Sequence, residues 1–174
     1  MESRRPSAYV LQSEMGESDS ETFVTPDTDE DAELDVPLPL EILICATPVS
    51  DQTKNRDARS RWIKEVGRQV QERIYSLVEW YSIHSRPLMA TIFYFPPSPM
   101  EGDVDNIVKP ILDGMIGVAY IDDKCIEKVI VQKFEPGVAW VFSEPSSTLA
   151  NAIEVDKPAL YIRLDKHLAW RSVQ

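Results

Sequence analysis

Cysteine and histidine are scarce in this 174-residue chain, which has two of each. Cys45 and Cys125 offer no disulfide framework and no paired spacing of the kind that zinc sites use. Cys45 lies in the apolar run LEILICA, where we expect a small buried side chain. His84 and His167 are far apart in the sequence, and the surroundings of His84 predict a surface position. These features argue against a zinc- or disulfide-stabilised module.

Long apolar runs and glycine-rich stretches are also missing. No run approaches the roughly 20 apolar residues that a membrane-spanning helix needs, and the N-terminus lacks the apolar segment of a secretory signal. The six glycines form no glycine-rich phosphate-binding loop. We therefore expect a protein without membrane association, in a reducing, cytoplasmic and nucleoid-associated setting.

Negative charge dominates the chain, but it is unevenly spread. The net charge of −11 at first argues against a nucleic-acid-binding protein. Residues 1–36 hold 11 acidic residues against Arg4 and Arg5, so the rest of the chain carries only −2. This composition predicts a largely disordered acidic tail over residues 1–36 and one folded domain over residues 37–174. The tail is a candidate segment for binding a protein partner, or a nucleic-acid mimic that competes for the domain's basic surface.

Hydrophobic periodicity in the first half of the domain predicts two strands and one long helix. The apolar run 40–46 indicates a first strand, and the polar segment 47–59 indicates a loop. A helix follows, with an apolar stripe at four-residue spacing formed by Trp62, Val66, Val70, Ile74 and Val78. The nearly continuous apolar run 88–95 is typical of a strand in the centre of a sheet.

The second half of the domain predicts a short helix and more strands. The helix buries the stripe Val108, Ile111, Leu112, Met115 and Ile116. Strands are predicted over 126–134, as a hairpin partner over 138–142, and as a final or edge strand over 160–164, with a loop over 143–157. The expected fold is therefore α+β, a β-α-β-α-β-β mixed sheet with two helices and room for one more strand.

Positive charge is concentrated over residues 54–73, where seven basic residues accompany three acidic ones. In an otherwise acidic protein this local excess points to a surface for phosphate groups. An ordinary solvated helix face would explain it equally well. The candidate DNA-binding residues are Lys54, Arg56, Arg59, Arg61, Lys64 and Arg68.

Aspartates gather at both ends of the segment 103–123. Asp103 and Asp105 would share one face of an extended chain, Lys109 lies near the start of the helix, and Asp122 and Asp123 follow it. Mg²⁺ prefers carboxylate oxygens, and such ions promote phosphodiester hydrolysis. Lys109 could neutralise the charge that develops on phosphorus, or orient a carboxylate. Either aspartate pair alone also fits an ordinary surface turn; both pairs around one helix are more specific.

The same segment spells D-V-D-N-x-x-K-P-x-x-D-G and, after a short gap, Y-I-D-D-K-C-I. This pattern resembles the signature of the RusA family of Holliday-junction resolvases. The upstream stretch ILICATPVSDQTKNRDARSRWIKEV is similar to the first strand, basic loop and helix of that family. The resemblance covers roughly residues 38–136 and implies a RusA-like nuclease domain.

The resemblance implies a homodimeric, Mg²⁺-dependent endonuclease that cuts branched DNA by paired nicks in four-way junctions, with Mn²⁺ as a candidate substitute. It assigns catalysis to Asp103, Asp105, Lys109 and Asp123, and metal binding to Asp103, Asp105, Asp123 and, as a further candidate, Asp122. Asp113 also matches the motif, and its i,i+4 spacing from Lys109 allows an ion pair.

The acidic tail and the near-neutral domain depart from the small basic proteins typical of that family. Phosphate contacts would have to come from the basic residues of 54–68, doubled by a dimer axis. Two alternatives stay open. One is a catalytically inactive relative that binds DNA or a protein partner, and the other is a metal nuclease for flaps, RNA or single strands. Four ionisable groups in one motif favour an active enzyme, because a fold alone does not need them.

Overall fold

The computed structural model describes residues 35–166, and they have the α+β fold that the sequence predicts. The elements are β1 (Leu40–Ile44), α1 (Arg56–Tyr75), β2 (Leu88–Phe95), α2 (Val108–Met115), β3 (Ile126–Lys133), α3 (Ser147–Glu154) and β4 (Ala159–Asp165). The predictions for residues 1–34 of the acidic tail and for residues 167–174 of the domain lie outside the described residues. No helix within 35–166 is long and apolar enough to cross a membrane.

The four strands of residues 35–166 form one mixed sheet in the order β1-β4-β2-β3. β4 pairs antiparallel with both β1 and β2, so Ile162 lies opposite Ile42 on one side and Ile92 on the other. β2 and β3 are parallel. The interior place of β2 confirms the prediction of a central strand. β4 is also interior rather than an edge, because it pairs with β1 on one side and β2 on the other, and its first four residues, 159–162, are all buried.

Alternate strand residues contribute to two hydrophobic cores on opposite faces of the sheet. Ile42, Ile92 and Ile162 pack with the buried residues of α1 and α2, whereas Phe95 and Tyr161 pack with α3. The α1–α2 face therefore holds the helix that bears the motif lysine, and α3 covers the other face.

The apolar segment 138–142 is not the hairpin strand that the sequence predicts. Trp140 and Phe142 pack onto Phe134, with ring centroids 5.2 and 5.0 Å away. The segment therefore does not pair in the sheet, and its partly buried aromatic side chains pack against the core under α3. The expected loop over 143–157 contains α3, which begins where the Ser146 hydroxyl accepts a hydrogen bond from the Leu149 amide at 3.2 Å. The predicted two helices are therefore three within residues 35–166.

Lys157 closes the C-terminal end of α3. Its Nζ donates hydrogen bonds to the carbonyl oxygens of Ala152, Ile153 and Val155 at 2.8, 2.9 and 2.8 Å. The ammonium also lies 5.2 Å from the centre of the Phe95 ring. One side chain thus satisfies carbonyls that the end of a helix leaves without intrahelical partners.

We expect Lys157→Met to lower the free energy of unfolding by about 2 kcal/mol, because the carbonyls lose a charged donor while part of the packing is kept. Urea denaturation measures the loss. The exposed Lys64 on α1 provides the control, and Lys64→Met should change the free energy of unfolding by less than about 0.5 kcal/mol. Equal losses in the two variants would contradict the role of Lys157 as a helix cap.

The long helix α1 begins earlier and ends earlier than its sequence pattern predicts. The Asn55 side chain accepts a hydrogen bond from the Ala58 amide at 2.9 Å, so the helix starts at Arg56, inside the segment expected to be a loop. The helix ends at Tyr75, and Val78 lies beyond it. The other four members of the predicted stripe are buried as expected.

Two glycines allow α1 and α2 to cross at close range. A methyl group at Gly67 would lie 2.8 Å from the Gly114 carbonyl oxygen, and one at Gly114 would lie 2.7 Å from Val66 Cβ and 2.8 Å from the Ile63 carbonyl oxygen. The crossing has no room for any larger residue at Gly114. It sets the distance between the middle of α1 and the last turn of α2.

The positions predicted for His84 and Cys45 are both wrong. His84 is 1% exposed, and its Nε2 donates a hydrogen bond to the Val36 carbonyl oxygen at 2.7 Å. Val36 is itself buried, so the chain entering β1 covers the imidazole. Cys45 is exposed, because it follows the last residue of β1 and the apolar run does not continue into the core there.

Candidate active site

The two aspartates of the D-x-D pair enter the site from the connection between β2 and α2. Asp103 has extended backbone and precedes a 3-10 turn over Val104–Ile107 that contains Asp105. The pair therefore does not share one face of an extended strand, as the sequence predicts, because Asp105 is already in the turn. Both side chains are exposed and make no hydrogen bond or ion pair with the rest of the described chain. Their carboxylate oxygens are open to a ligand.

Lys109, in the first turn of α2, joins two carboxylates. Its Nζ donates hydrogen bonds to Asp113 Oδ1 at 2.6 Å and to Asp123 Oδ2 at 3.1 Å. The hydrogen bond to Asp113, with a further one to Asp123, raises the pKa of the Lys109 ammonium. The group is therefore a protonated donor and a fixed positive charge at neutral pH. The ion pair with Asp113 confirms the i,i+4 prediction.

Asp122 and Asp123 lie in the turn before β3 and have different surroundings. The Lys109 ammonium, with a contribution from Asp122, lowers the pKa of the Asp123 carboxyl. Asp122 precedes the 3-10 turn Asp123–Cys125, and its Oδ1 accepts a hydrogen bond from the Lys124 amide at 2.9 Å. Asp123 thus faces the site lysine, whereas Asp122 holds the local backbone turn.

Arg59 extends this network to the start of α1. Its guanidinium donates to Asp51 Oδ1 at 2.9 and 2.8 Å, from Nε and Nη2, and to Asp113 Oδ2 at 2.9 Å. These hydrogen bonds, first to Asp51 and then to Asp113, raise the pKa of Arg59. The Asp51 amide also donates to the Asn106 carbonyl oxygen at 2.8 Å. The loop after β1 is therefore attached directly to the turn that contains Asp105.

Tyr120 packs in the core behind the site and is bonded to α2. Its ring is fully buried, and its hydroxyl donates a hydrogen bond to the Leu112 carbonyl oxygen of α2 at 2.8 Å. Burial, together with the nearby charges of Asp113 and Asp123, raises the pKa of Tyr120. The phenol stays neutral and links the chain that leads to Asp123 with the helix that bears Lys109.

The six basic residues proposed for DNA binding fall into three groups. Lys54, Arg56, Arg61 and Lys64 are exposed and form no ion pair with another residue of 35–166. Arg59 is engaged with two carboxylates. Arg68 pairs with Glu65 and Glu72 on its own helix, and its guanidinium lowers the pKa of the Glu65 carboxyl to about 2. Among these six residues, the positive charges without an ion-pair partner in 35–166 therefore lie in the first half of α1 and in the loop before it.

The carboxylates of Asp103, Asp105 and Asp123 are the candidate ligands for a divalent metal. Within residues 35–166 no three Asp, Glu, His or Cys side chains are close enough together to hold a metal ion. The donor chemistry nevertheless fits a hard cation, since Asp103 and Asp105 present exposed carboxylate oxygens without competing partners. Asp123, the third predicted ligand, is turned towards Lys109. The chain supplies suitable ligands, and the described residues do not bring three of them together.

Sequence reasoning missed Asp51 and Tyr120 and gave Arg59 a different role. Asp51 lies in a polar loop whose composition carries no signal for a site. Tyr120 belongs to a short apolar stretch that resembles any other buried segment. The pairing of Arg59 with Asp113 joins residues 54 positions apart, which no local pattern reveals.

The chain is similar to a known protein family. The model of the family described as Endodeoxyribonuclease RusA matches residues 27–141, which is more than half of the chain. No curated protein matches the chain. The matched range includes every residue of the network around Lys109 and ends before α3 and β4.

Proposed function

The chain belongs to the RusA family of endodeoxyribonucleases, and from this premise we propose that it is a divalent-metal-dependent endonuclease that resolves four-way DNA junctions by paired nicks. The observation that supports the proposal most strongly is the Lys109 ammonium, held between Asp113 and Asp123 in the helix that follows the exposed Asp103 and Asp105. A positive charge fixed among carboxylates is suited to phosphoryl chemistry.

Lys109 is proposed to act on the scissile phosphate. Hydrolysis of a phosphodiester builds negative charge on the oxygens around phosphorus, and a preorganised ammonium stabilises that charge. Because two carboxylates raise its pKa, the lysine remains a cation at neutral pH and does not act as a general base. Its half-exposed side chain leaves the ammonium accessible to DNA.

Metal binding is proposed at Asp103, Asp105 and Asp123. Nucleases of this family generally depend on a divalent metal. When bound, Mg²⁺ would polarise the phosphodiester and lower the pKa of a water nucleophile, and Mn²⁺ could substitute. Asp122 is a weaker candidate, because one of its oxygens already accepts the Lys124 amide.

Four-way junction DNA is proposed to bind across the basic surface formed by Lys54, Arg56, Arg61 and Lys64. These side chains are exposed at the loop and helix that begin beside the site. Paired nicks require two active sites, so we propose a homodimer that doubles this surface. A protein that acts on chromosomal or mobile DNA would work in the cytoplasm, at the nucleoid.

The proposal is tested by incubating the purified protein with a labelled four-way junction, a flap, a single strand and a linear duplex, with and without Mg²⁺. We expect symmetric nicks in the junction that require the metal, and little cutting of the duplex. Asp105→Asn serves as the inactive control, because it removes one negative ligand while it keeps the shape of the side chain. Its binding to the junction should survive.

Three other cleavage results would contradict all or part of the proposal. If no substrate is cut under any metal condition while the junction is bound, the protein is a non-catalytic member of the family and the proposal fails. Preferred cutting of flaps or single strands would replace the proposed substrate. Equal cutting of duplex and junction would exclude structure selectivity.

A further inference from the structure

We propose that Arg59 is a positioning residue for catalysis: through Asp113 it holds the Lys109 ammonium in place. The inference rests on the proposed function of Lys109. It gives Arg59 a role different from the DNA contact that its place in a basic segment predicts. Three contacts and the exposure of the residues involved support it.

The two oxygens of Asp113 are divided between two cations. Oδ2 accepts a hydrogen bond from Arg59 Nη2 at 2.9 Å, and Oδ1 accepts one from Lys109 Nζ at 2.6 Å. A carboxylate held at both oxygens cannot rotate without losing one partner. Arg59 therefore sets the direction from which Asp113 presents Oδ1 to the lysine.

Lys109 is the most exposed of the three side chains in this network. The Lys109 side chain is 51% exposed, whereas Arg59 is 30% and Asp113 is 19% exposed. A lysine has a long flexible stem, and fixing its ammonium costs side-chain entropy. The less exposed Arg59–Asp113 pair can therefore restrain the more exposed lysine.

Arg59 is poorly placed to bind a phosphate. Its Nε and Nη2 donate to Asp51, Nη2 also donates to Asp113, and two carboxylates offset its single charge. Arg61, two residues further along α1, is exposed and has no ion-pair partner among residues 35–166. The two neighbouring arginines thus have different proposed roles: Arg59 positions site residues, and Arg61 binds DNA.

The position of Arg59 depends on the tertiary structure. Arg59 lies in the first turn of α1 and reaches Asp113 of α2 at 2.9 Å, and the same two helices cross closely at Gly67 and Gly114. Asp51 accepts hydrogen bonds from Nε and Nη2 of the guanidinium, and its own amide donates to the Asn106 carbonyl oxygen. The guanidinium is therefore anchored to both segments that flank the lysine.

The first test separates positioning from DNA binding by comparing Arg59→Gln with Arg61→Gln. We expect Arg59→Gln to reduce the single-turnover rate of junction cleavage, at saturating enzyme, by about ten- to a hundredfold, with the junction Kd and its salt dependence unchanged. Arg61→Gln should weaken binding and reduce the salt slope by about one. Arg86→Gln, an exposed arginine outside the site, should resemble the wild type in both respects.

A double-mutant cycle tests whether Arg59 acts through Asp113. If it does, Arg59→Gln in the Asp113→Asn background costs no further activity, because the carboxylate that it orients is already gone. Multiplying rate losses would mean that the two residues act independently and would overturn the proposal. So would a cleavage rate of Arg59→Gln within threefold of the wild type.

A measurement without DNA separates this proposal from the proposed function. The ammonium groups of lysines held in ion pairs give resolved ¹H–¹⁵N signals, and the Lys109 signal can be assigned by its loss in Lys109→Met. We expect it to broaden or shift in Arg59→Gln and to stay in place in Arg86→Gln. An unchanged signal in Arg59→Gln would refute the positioning role, even in a protein that cuts junctions. A changed signal would support it, even if no substrate is cut.

Discussion

Asp123→Asn is expected to reduce junction cleavage by about a hundred- to a thousandfold, whereas Asp122→Asn should keep most of the activity. The two aspartates are adjacent in sequence but have different partners. Asp123 Oδ2 lies 3.1 Å from Lys109 Nζ. Replacing Asp123 by asparagine therefore removes the negative charge beside the Lys109 ammonium and also removes a proposed metal ligand. Asp122 accepts the Lys124 amide, and the carbonyl oxygen of an asparagine can still accept that hydrogen bond.

The pair of variants provides its own control, since each exchanges one carboxylate for an amide of the same shape. Single-turnover cleavage rates measure the effect, and thermal denaturation verifies that both variants are folded. If Asp122→Asn loses as much activity as Asp123→Asn, Asp122 is a ligand or catalytic group rather than a turn residue. If both remain active, the site does not depend on this end of the motif.

Gly114→Val is expected to lower the free energy of unfolding by about 3 kcal/mol. The new side chain would overlap Val66 Cβ, 2.7 Å from where its own Cβ must lie, and the Ile63 carbonyl oxygen at 2.8 Å. The two helices can accommodate it only by separating. Arg59 and Asp113 would then lose contact, and a displacement of about 1 Å at the site can cost about a hundredfold in rate.

Thermal unfolding measures the first effect, with an expected loss of about 6–12 °C in Tm, and single-turnover cleavage measures the second. Gly102→Ala is the matched control. A methyl group at Gly102 would meet Met100 Cε at 4.0 Å, which is an ordinary contact. A stable Gly114→Val protein would show that the helix crossing is looser than these distances require.

The local parts of the structure could be predicted from the sequence. The stripe of Trp62, Val66, Val70 and Ile74 gives the buried face of α1, and the apolar run 88–95 gives the central strand β2. The ion pair between Lys109 and Asp113 follows from helical spacing alone. Each of these features depends on residues close together in the chain, where periodicity is informative.

The remaining features depend on contacts between distant residues. His84 looked like a surface residue because nothing near it in sequence shows that Val36 will cover it. The aromatic residues of 138–142 had the composition of a strand, but their burial against Phe134 decided their structure. The sequence groups Arg59 with its basic neighbours, since only the packing of α1 against α2 reveals its partner Asp113. Tertiary packing overrides local preference at each of these positions.

The place of β4 in the sheet has a consequence for how this chain folds. β2, the motif segment and β3 are consecutive and can associate early, but β1 has no partner strand until β4 forms. Leu40 must therefore wait for Leu164, which lies 124 residues later, and contacts of such long range slow folding. During synthesis on the ribosome, β1 can enter the sheet only after β4 has emerged. A nascent chain that already contains the complete motif would still lack β4, and therefore the complete four-stranded sheet that supports the motif.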